Sequence, residues 1–128
     1  LPSFPLIKCF GKKKEMEEIA KELQPFEGIE TSVIKDPVSP EFFLLLITNK
    51  KANKGDAALN LLKIGDCSRP LIVGGDDNND IPLLKVGDIK IAMEGSPKAL
   101  LTLSDIVAKP SHHFGIISAI KKAIEPGV

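Results

Sequence analysis

The sequence has no excess of charge of either sign: lysine plus arginine number 17 and aspartate plus glutamate number 17. A balanced chain carries no broad electrostatic footprint, so nothing here argues for nucleic acid or an anionic membrane surface as a partner. Long apolar runs are missing as well. The longest, residues 42–47, has the length of a strand and falls far short of a bilayer span. No secretory leader is visible. Cysteine is scarce. Cys9 and Cys67 stand far apart, without the spacing of a zinc site or a Cys-x-x-Cys pair, and read as two free, mostly buried thiols of a cytoplasmic chain. There is no internal repeat and no low-complexity segment. The chain opens on Leu1 without a methionine, as a fragment or a processed product would.

What is present is enough apolar material for a core, 43% of 128 residues, which excludes a disordered chain. The first part reads as βαββ. Residues 5–10 form a short apolar strand ending at Gly11. Residues 12–23 place Met16, Ile19, Ala20 and Leu23 at helical spacing and put glutamates and lysines on the other face. Pro25 stops that helix. Residues 29–35 alternate apolar and polar, and Asp36-Pro37 and Ser39-Pro40 mark a turn. Residues 42–48 are continuously apolar, the pattern of a strand covered on both faces. The core expected here is Ile7, Met16, Ile19, Leu23, Val33 and Leu45.

Composition shifts at the polar stretch 48–53, which puts a boundary between 1–49 and 50–128. The second part alternates strictly. A helix at 55–64 turns Ala58, Leu59, Leu61 and Leu62 inward and stops at Gly65. Strands follow at 70–73, 88–93 and 106–108, with helices at 79–86, 97–103 and 114–124. The last helix puts Ile116, Ile117, Ile120 and Ile124 on one face. Short strands alternating with helices predict a parallel sheet in an α/β fold.

The sharpest chemical feature follows the strand at 70–73: Gly74-Gly75-Asp76-Asp77-Asn78-Asn79-Asp80. In parallel α/β sheets, ligands sit beyond the carboxyl ends of the strands. Three carboxylates that close together repel, and a hard cation with oxygen ligands removes that cost. The two glycines let backbone approach a ligand closely. The plain alternative is a solvated turn that caps the next helix through Asn78 or Asn79. A calcium loop is excluded, because Ile81 stands where glycine is needed and Gly87 where a bidentate glutamate is needed. A second feature is Asn53-Lys54-Gly55-Asp56 at a helix start, where a lysine can share an anion with the helix amino terminus. Alone, it reads as a surface lysine. His112-His113 reads as a solvated loop pair, since a metal site would need further ligands.

Taken in order, these pieces resemble the haloacid dehalogenase (HAD) superfamily, specifically its sugar-phosphatase-like members with a large α/β cap. Those proteins run from a last cap strand through Asn-Lys-Gly, a helix and a short strand to Gly-Asp-x-x-Asn-Asp. They continue to a strand ending in Ala-Met and a proline-started helix. Here the matching pieces are Asn53-Lys54-Gly55, Gly75 to Asp80, Ile91-Ala92-Met93 with Ser96-Pro97, and Asp105-Ile106-Val107. The resemblance implies the carboxy-terminal half of a Rossmann-like core, a parallel sheet with helices on both faces, preceded by part of a βαββ cap. It also implies roles. Lys54 would neutralise the transferred phosphoryl group and the nucleophile, and Asp76 would bind magnesium. Asn79 would contact the phosphate, and Asp80 would support the metal shell or Lys54. Asp77 and Glu94 depart from the pattern, the latter standing where glycine is common.

The family's nucleophile is the first aspartate of an Asp-x-Asp pair, which forms an aspartyl-phosphate. No Asp-x-Asp occurs in these 128 residues. The expectation is therefore a part of a magnesium-dependent phosphatase for a small phosphorylated metabolite, a sugar phosphate or phosphoglycerate type. It would be inactive alone and would pair with a missing amino-terminal segment. The rival reading is a non-catalytic module that binds a cation or a partner.

Overall fold

The computed structural model describes residues 5–125. The chain divides into two units, Leu1–Asn53 and Lys54–Val128. The sequence placed the boundary at 49/50. Backbone bonds hold the intervening turn to the first unit: the Lys50 N–H donates to the Gly28 carbonyl at 2.9 Å, and the Ala52 N–H to that of Asn49 at 2.8 Å.

In the first unit, β1 (Leu6–Gly11), α1 (Lys13–Leu23), β2 (Ile29–Lys35) and β3 (Phe43–Asn49) follow in chain order. The sheet is antiparallel, with β3 between β1 and β2. Lys12 starts α1, its N–H donating to the Glu15 carboxylate at 3.0 Å. The Asp36 carboxylate shapes the link from β2 to β3 by accepting from the Val38 and Ser39 N–H groups at 2.8 and 2.7 Å. The register puts Cys9, Leu45 and Val33 in one row across the sheet, where Leu45 is fully buried and Met16 nearly so.

The expected core was too wide. Ile7 is 47% exposed and Ile19 37%, because Ile7 lies on an edge strand and Ile19 on the flank of a helix whose buried contact centres on Met16. Nor does the apolar run of β3 reflect cover on two faces equally: Leu45 is buried, while Leu44 and Leu46, which point the other way, are half-buried.

The second unit contains α2 (Lys54–Ile64), β4 (Ile72–Gly75), a 3-10 turn (Asn78–Asp80), α3 (Ile81–Val86), β5 (Ile89–Met93), α4 (Lys98–Leu103) and β6 (Ile106–Ala108). A second 3-10 turn (Ser111–His113) leads into α5 (Gly115–Ile124). The sheet is parallel in the order β4-β5-β6. Side-chain alternation divides it into two cores. Val73 and Ala92 point to one face and pack with Leu84 and Leu100. Ile91 and Ala108 pack on the other face with Ala119 and Ala123 of α5. Helices therefore cover both faces, as an all-parallel sheet requires. Carboxylates tie down the strand starts. Asp88 accepts from the Leu71 N–H at 2.7 Å and Asp105 from the Lys90 N–H at 2.8 Å.

Two helix faces differ from expectation. In α2, Gly55 is buried and Ala58, Leu59 and Leu62 half-buried, while Leu61 is 68% exposed. The inward stripe runs at i, i+3, i+4 and i+7 from Gly55, which leaves Leu61 on the outer side. In α5 the buried stripe is Gly115, Ala119 and Ala123, since small residues let the helix lie close to the sheet. Ile117, Ile120 and Ile124 are 52%, 40% and 63% exposed. The thiols are free, but Cys67 is exposed and Cys9 only partly buried. Among the described residues no helix is long and apolar enough to cross a membrane.

Leu84→Ala and Leu100→Ala, both fully buried, should each lower the unfolding free energy by about 2–5 kcal/mol. Leu61→Ala should change it by less than about 0.5 kcal/mol. Urea denaturation of the three variants checks the assignment, and a large loss at Leu61 would contradict it.

Candidate active site

The carboxyl end of β4 delivers the acidic loop, and one side chain organises it. Asp80 is 4% exposed. Its carboxylate accepts from the Asp76 N–H at 2.9 Å and the Asp77 N–H at 3.4 Å. The same carboxylate takes the ammonium of Lys54, the first residue of α2, in a direct ion pair. Two features identified separately along the chain thus meet at one carboxyl group. Gly75 makes room for it: a Cβ at that position would lie 2.4 Å from the Asp80 Cβ. The close approach that this glycine permits is to a side chain of the loop itself, whereas the sequence suggested a ligand. The helix cap also differs from expectation. Asp77, not an asparagine, caps the turn by accepting from the Asn78 N–H at 2.7 Å. Asn79 lies half-buried in the same turn.

The electrostatics follow from this arrangement. Burial tends to raise the Asp80 carboxyl, but the Lys54 hydrogen bond and the two loop amides outweigh it and hold Asp80 below the usual carboxylate range. Asp76 moves the other way. Partial burial raises it first, then the neighbouring Asp80 and Asp77 carboxyls, with Lys54 opposing. Two carboxyl groups held this close favour sharing a proton or a cation. Among the described residues, no three His, Cys, Asp or Glu side chains converge as a metal set. A cation here would rest on Asp76 and on ligands from outside these side chains, which suits a hard ion that keeps several waters.

A cleft of about 250 Å³ opens beside Asp76 and is lined by Met93, Glu94, Ser96, Pro110 and Ser111. These residues end or follow β5 and follow β6, so the cleft spans the carboxyl ends of all three strands, where α/β sheets place ligands. Sequence reasoning read Ser96 only as a helix-start marker and Glu94 only as a departure from a pattern. What brings them together is a tight turn: the Ser96 N–H donates to the Met93 carbonyl at 3.1 Å, with Gly95 at φ +87°. Only glycine adopts that backbone readily, and the Glu-Gly-Ser order was the available signal. His112 and His113 are exposed, their rings 4.2 Å apart. His113 borders a separate groove along β6 and α5.

The lysine–aspartate pair and the acidic loop thus lie together at the carboxyl end of a strand in a parallel α/β sheet. Residues 3–120 match the model of the haloacid dehalogenase-like hydrolases, and the chain belongs to that family. It is 32% identical over 82 residues to a phosphoglycolate phosphatase of Sulfurisphaera tokodaii, an alignment covering 64% of this chain and 36% of that one. Among solved structures, a haloacid dehalogenase-like hydrolase from B. subtilis superposes with a TM-score of 0.75 at 23% identity. That match covers 92% of this chain and 40% of the other. A HAD subclass IIB sugar phosphatase superposes with a TM-score of 0.71 at 22% identity, covering 91% and 42%. The chain therefore spans less than half the length of these relatives.

The ion pair should be visible in the pH dependence of stability. Asp80 is lowered on folding, so the unfolded chain binds more protons around the ordinary carboxyl pKa. The stabilisation is present above that pKa and is lost as pH falls through the folded value. Lys54→Met should cost about 1–2 kcal/mol at neutral pH, discounted for the half-exposed lysine. The gap from wild type should close below about pH 4. Denaturation across that range tests this, and a gap independent of pH would assign the loss to packing.

Proposed function

We propose that this chain is the carboxy-terminal part of a magnesium-dependent phosphatase acting on a small phosphorylated metabolite. One observation carries the reading: the Lys54 ammonium is fixed on buried Asp80, with Asp76 beside it, at the carboxyl end of a parallel strand. Asp80 positions Lys54, and Lys54 offsets the charge of the phosphoryl group. Asn79 contacts the phosphate. Asp76 is the residue of this chain that would hold magnesium, and its carboxyl, raised first by partial burial and then by the neighbouring Asp80 and Asp77, fits that use because a cation would offset both effects. Magnesium, when bound, supplies positive charge opposite the phosphoryl oxygens.

The covalent step belongs elsewhere. An aspartyl-phosphate route needs an Asp-x-Asp pair, and these 128 residues have none. In this reading residues 50–128 are the carboxy-terminal half of the core, residues 1–49 are part of a cap, and a further segment supplies the nucleophile. Two features support such a pairing. The order β4-β5-β6 leaves one side of β4 without a strand partner among the described residues. The exposed isoleucines of α5 present apolar surface of the kind an interface covers. The balanced charge leaves no global field for a polyanion, so phosphate recognition rests on local geometry.

The test is an assay with magnesium and p-nitrophenyl phosphate. The 128-residue chain alone should show no turnover. Restoring the residues encoded ahead of Leu1 should give magnesium-dependent hydrolysis, and Asp76→Ala in that protein should lower it by about a hundredfold or more. Turnover by the short chain that survives repurification and disappears with Asp76→Ala would overturn the account of the nucleophile. An inactive restored protein would overturn the phosphatase reading.

A further inference from the structure

The groove between β6 and α5 has a volume of about 480 Å³ and a basic lining. Lys109 follows β6, His113 lies in the second 3-10 turn, and Ser118 and Lys122 stand one turn apart on α5; all four line it. Ile106 and Ala119 give it an apolar floor, since both belong to the core on the α5 side of the sheet. No carboxylate lines the groove among the described residues. Lys13, Lys14 and Lys54 each meet an acid, whereas Lys109 and Lys122 form no ion pair among the described residues. Ammonium groups gathered without a counter-charge repel, and a bound anion removes that cost. Gly115 sets the width of the groove. A Cβ there would lie 2.0 Å from the Lys109 carbonyl oxygen, so α5 starts hard against the end of β6.

The groove lies away from the side on which a further segment is expected. That pairing uses the free side of β4, and β6 is at the other end of the sheet. Helix α5 shows the same division. Ile116 lies over β4, its Cδ1 3.5 Å from the place of a Gly74 Cβ, while Ser118 and Lys122 line the groove at β6. At 100° per residue, Ile117, Ile120 and Ile124 fall on the flank opposite Ser118 and Lys122.

We propose that this groove is a second, non-catalytic site for a small organic phosphate, with the phosphate between Lys109, His113 and Lys122 and the carbon skeleton on Ile106 and Ala119. Lysine holds phosphate as a point charge, and imidazole and hydroxyl groups add hydrogen bonds. The volume suits a small organic molecule, and the apolar floor offers nothing to a bare phosphate. The site stands apart from the phosphatase reading, because it shares no lining residue with the cleft beside Asp76. The two are neighbours through one loop: Pro110 and Ser111, between Lys109 and His113 in the chain, line the cleft. A ligand in the groove would restrain the loop that borders the cleft.

The experiment titrates the 128-residue chain with phenylphosphonate, whose P–C bond a phosphatase leaves intact, and follows the backbone amides by heteronuclear NMR. Saturable shifts should appear at Val107, Lys109, His113, Ser118 and Lys122, with a Kd of about 1 mM or below. Inorganic phosphate should bind about threefold or more weakly, for want of the apolar contact, and phenol should not saturate. Lys109→Gln and Lys122→Gln should each weaken phenylphosphonate by about threefold or more, and the double variant Lys109→Glu/Lys122→Glu should abolish its binding. Both lysines are exposed, so the variants should keep the wild-type melting midpoint. No saturation, shifts confined to residues 76–80 and 93–96, equal affinity for phenylphosphonate and inorganic phosphate, or binding that survives the double charge reversal would each overturn the site. None of these outcomes bears on turnover by the restored protein.

Discussion

The second unit is organised around the burial of one carboxylate. Asp80 can be 4% exposed and still ionised only because an ammonium and two loop amides converge on it. Everything near the strand ends answers to that requirement. Gly75 has no side chain because Asp80 occupies the space. The loop after β4 turns back so that its N–H groups reach one oxygen. Helix α2 begins where its first residue can close the ion pair. Removing any partner would strand a charge in a place that water reaches poorly, and the surrounding backbone would have to move to rehydrate it.

The alternation of strands and helices was legible because period-two and period-3.6 patterns are local, and proline and glycine punctuate them. The loop from Asp76 to Asp80 stood out because carboxylates are expensive to cluster without a reason, whereas Lys54 alone read as a surface lysine and, like Asn79, drew its expected role from the resemblance. Spacing alone does not say that Lys54 and Asp80 touch; the resemblance pointed there, since it implied that Asp80 would support the metal shell or Lys54, and the two form an ion pair. The loop amides carry no residue signature. The faces of α2 and α5 were misjudged for a related reason. Isoleucine and leucine look like core wherever they fall, whereas Ala119 and Ala123 are buried because they are small. Ser96 and Glu94 gained meaning only when a turn at Gly95 brought them beside Asp76.

The proposed phosphate chemistry, in a chain with no net charge, requires that attraction be built locally. A cationic surface would collect polyanions indiscriminately. A single lysine is held at one point by a buried aspartate, and the carboxylates Asp76 and Glu94 line the neighbouring cleft. The opposite directions taken by Asp76 and Asp80 express that division: one carboxyl is committed to its counter-ion, and its neighbour is held in reserve.

The isoleucine stripe of α5 has a consequence for the chain as a colloid. Ile117, Ile120 and Ile124 sit on its surface alongside Phe114 at 72% exposure, and the sequence pI is about 6.9. At neutral pH copies of the chain therefore meet with apolar faces uncovered and almost no mutual repulsion. Its solubility should be poorest where most proteins are handled, and should improve on the alkaline side as net negative charge builds.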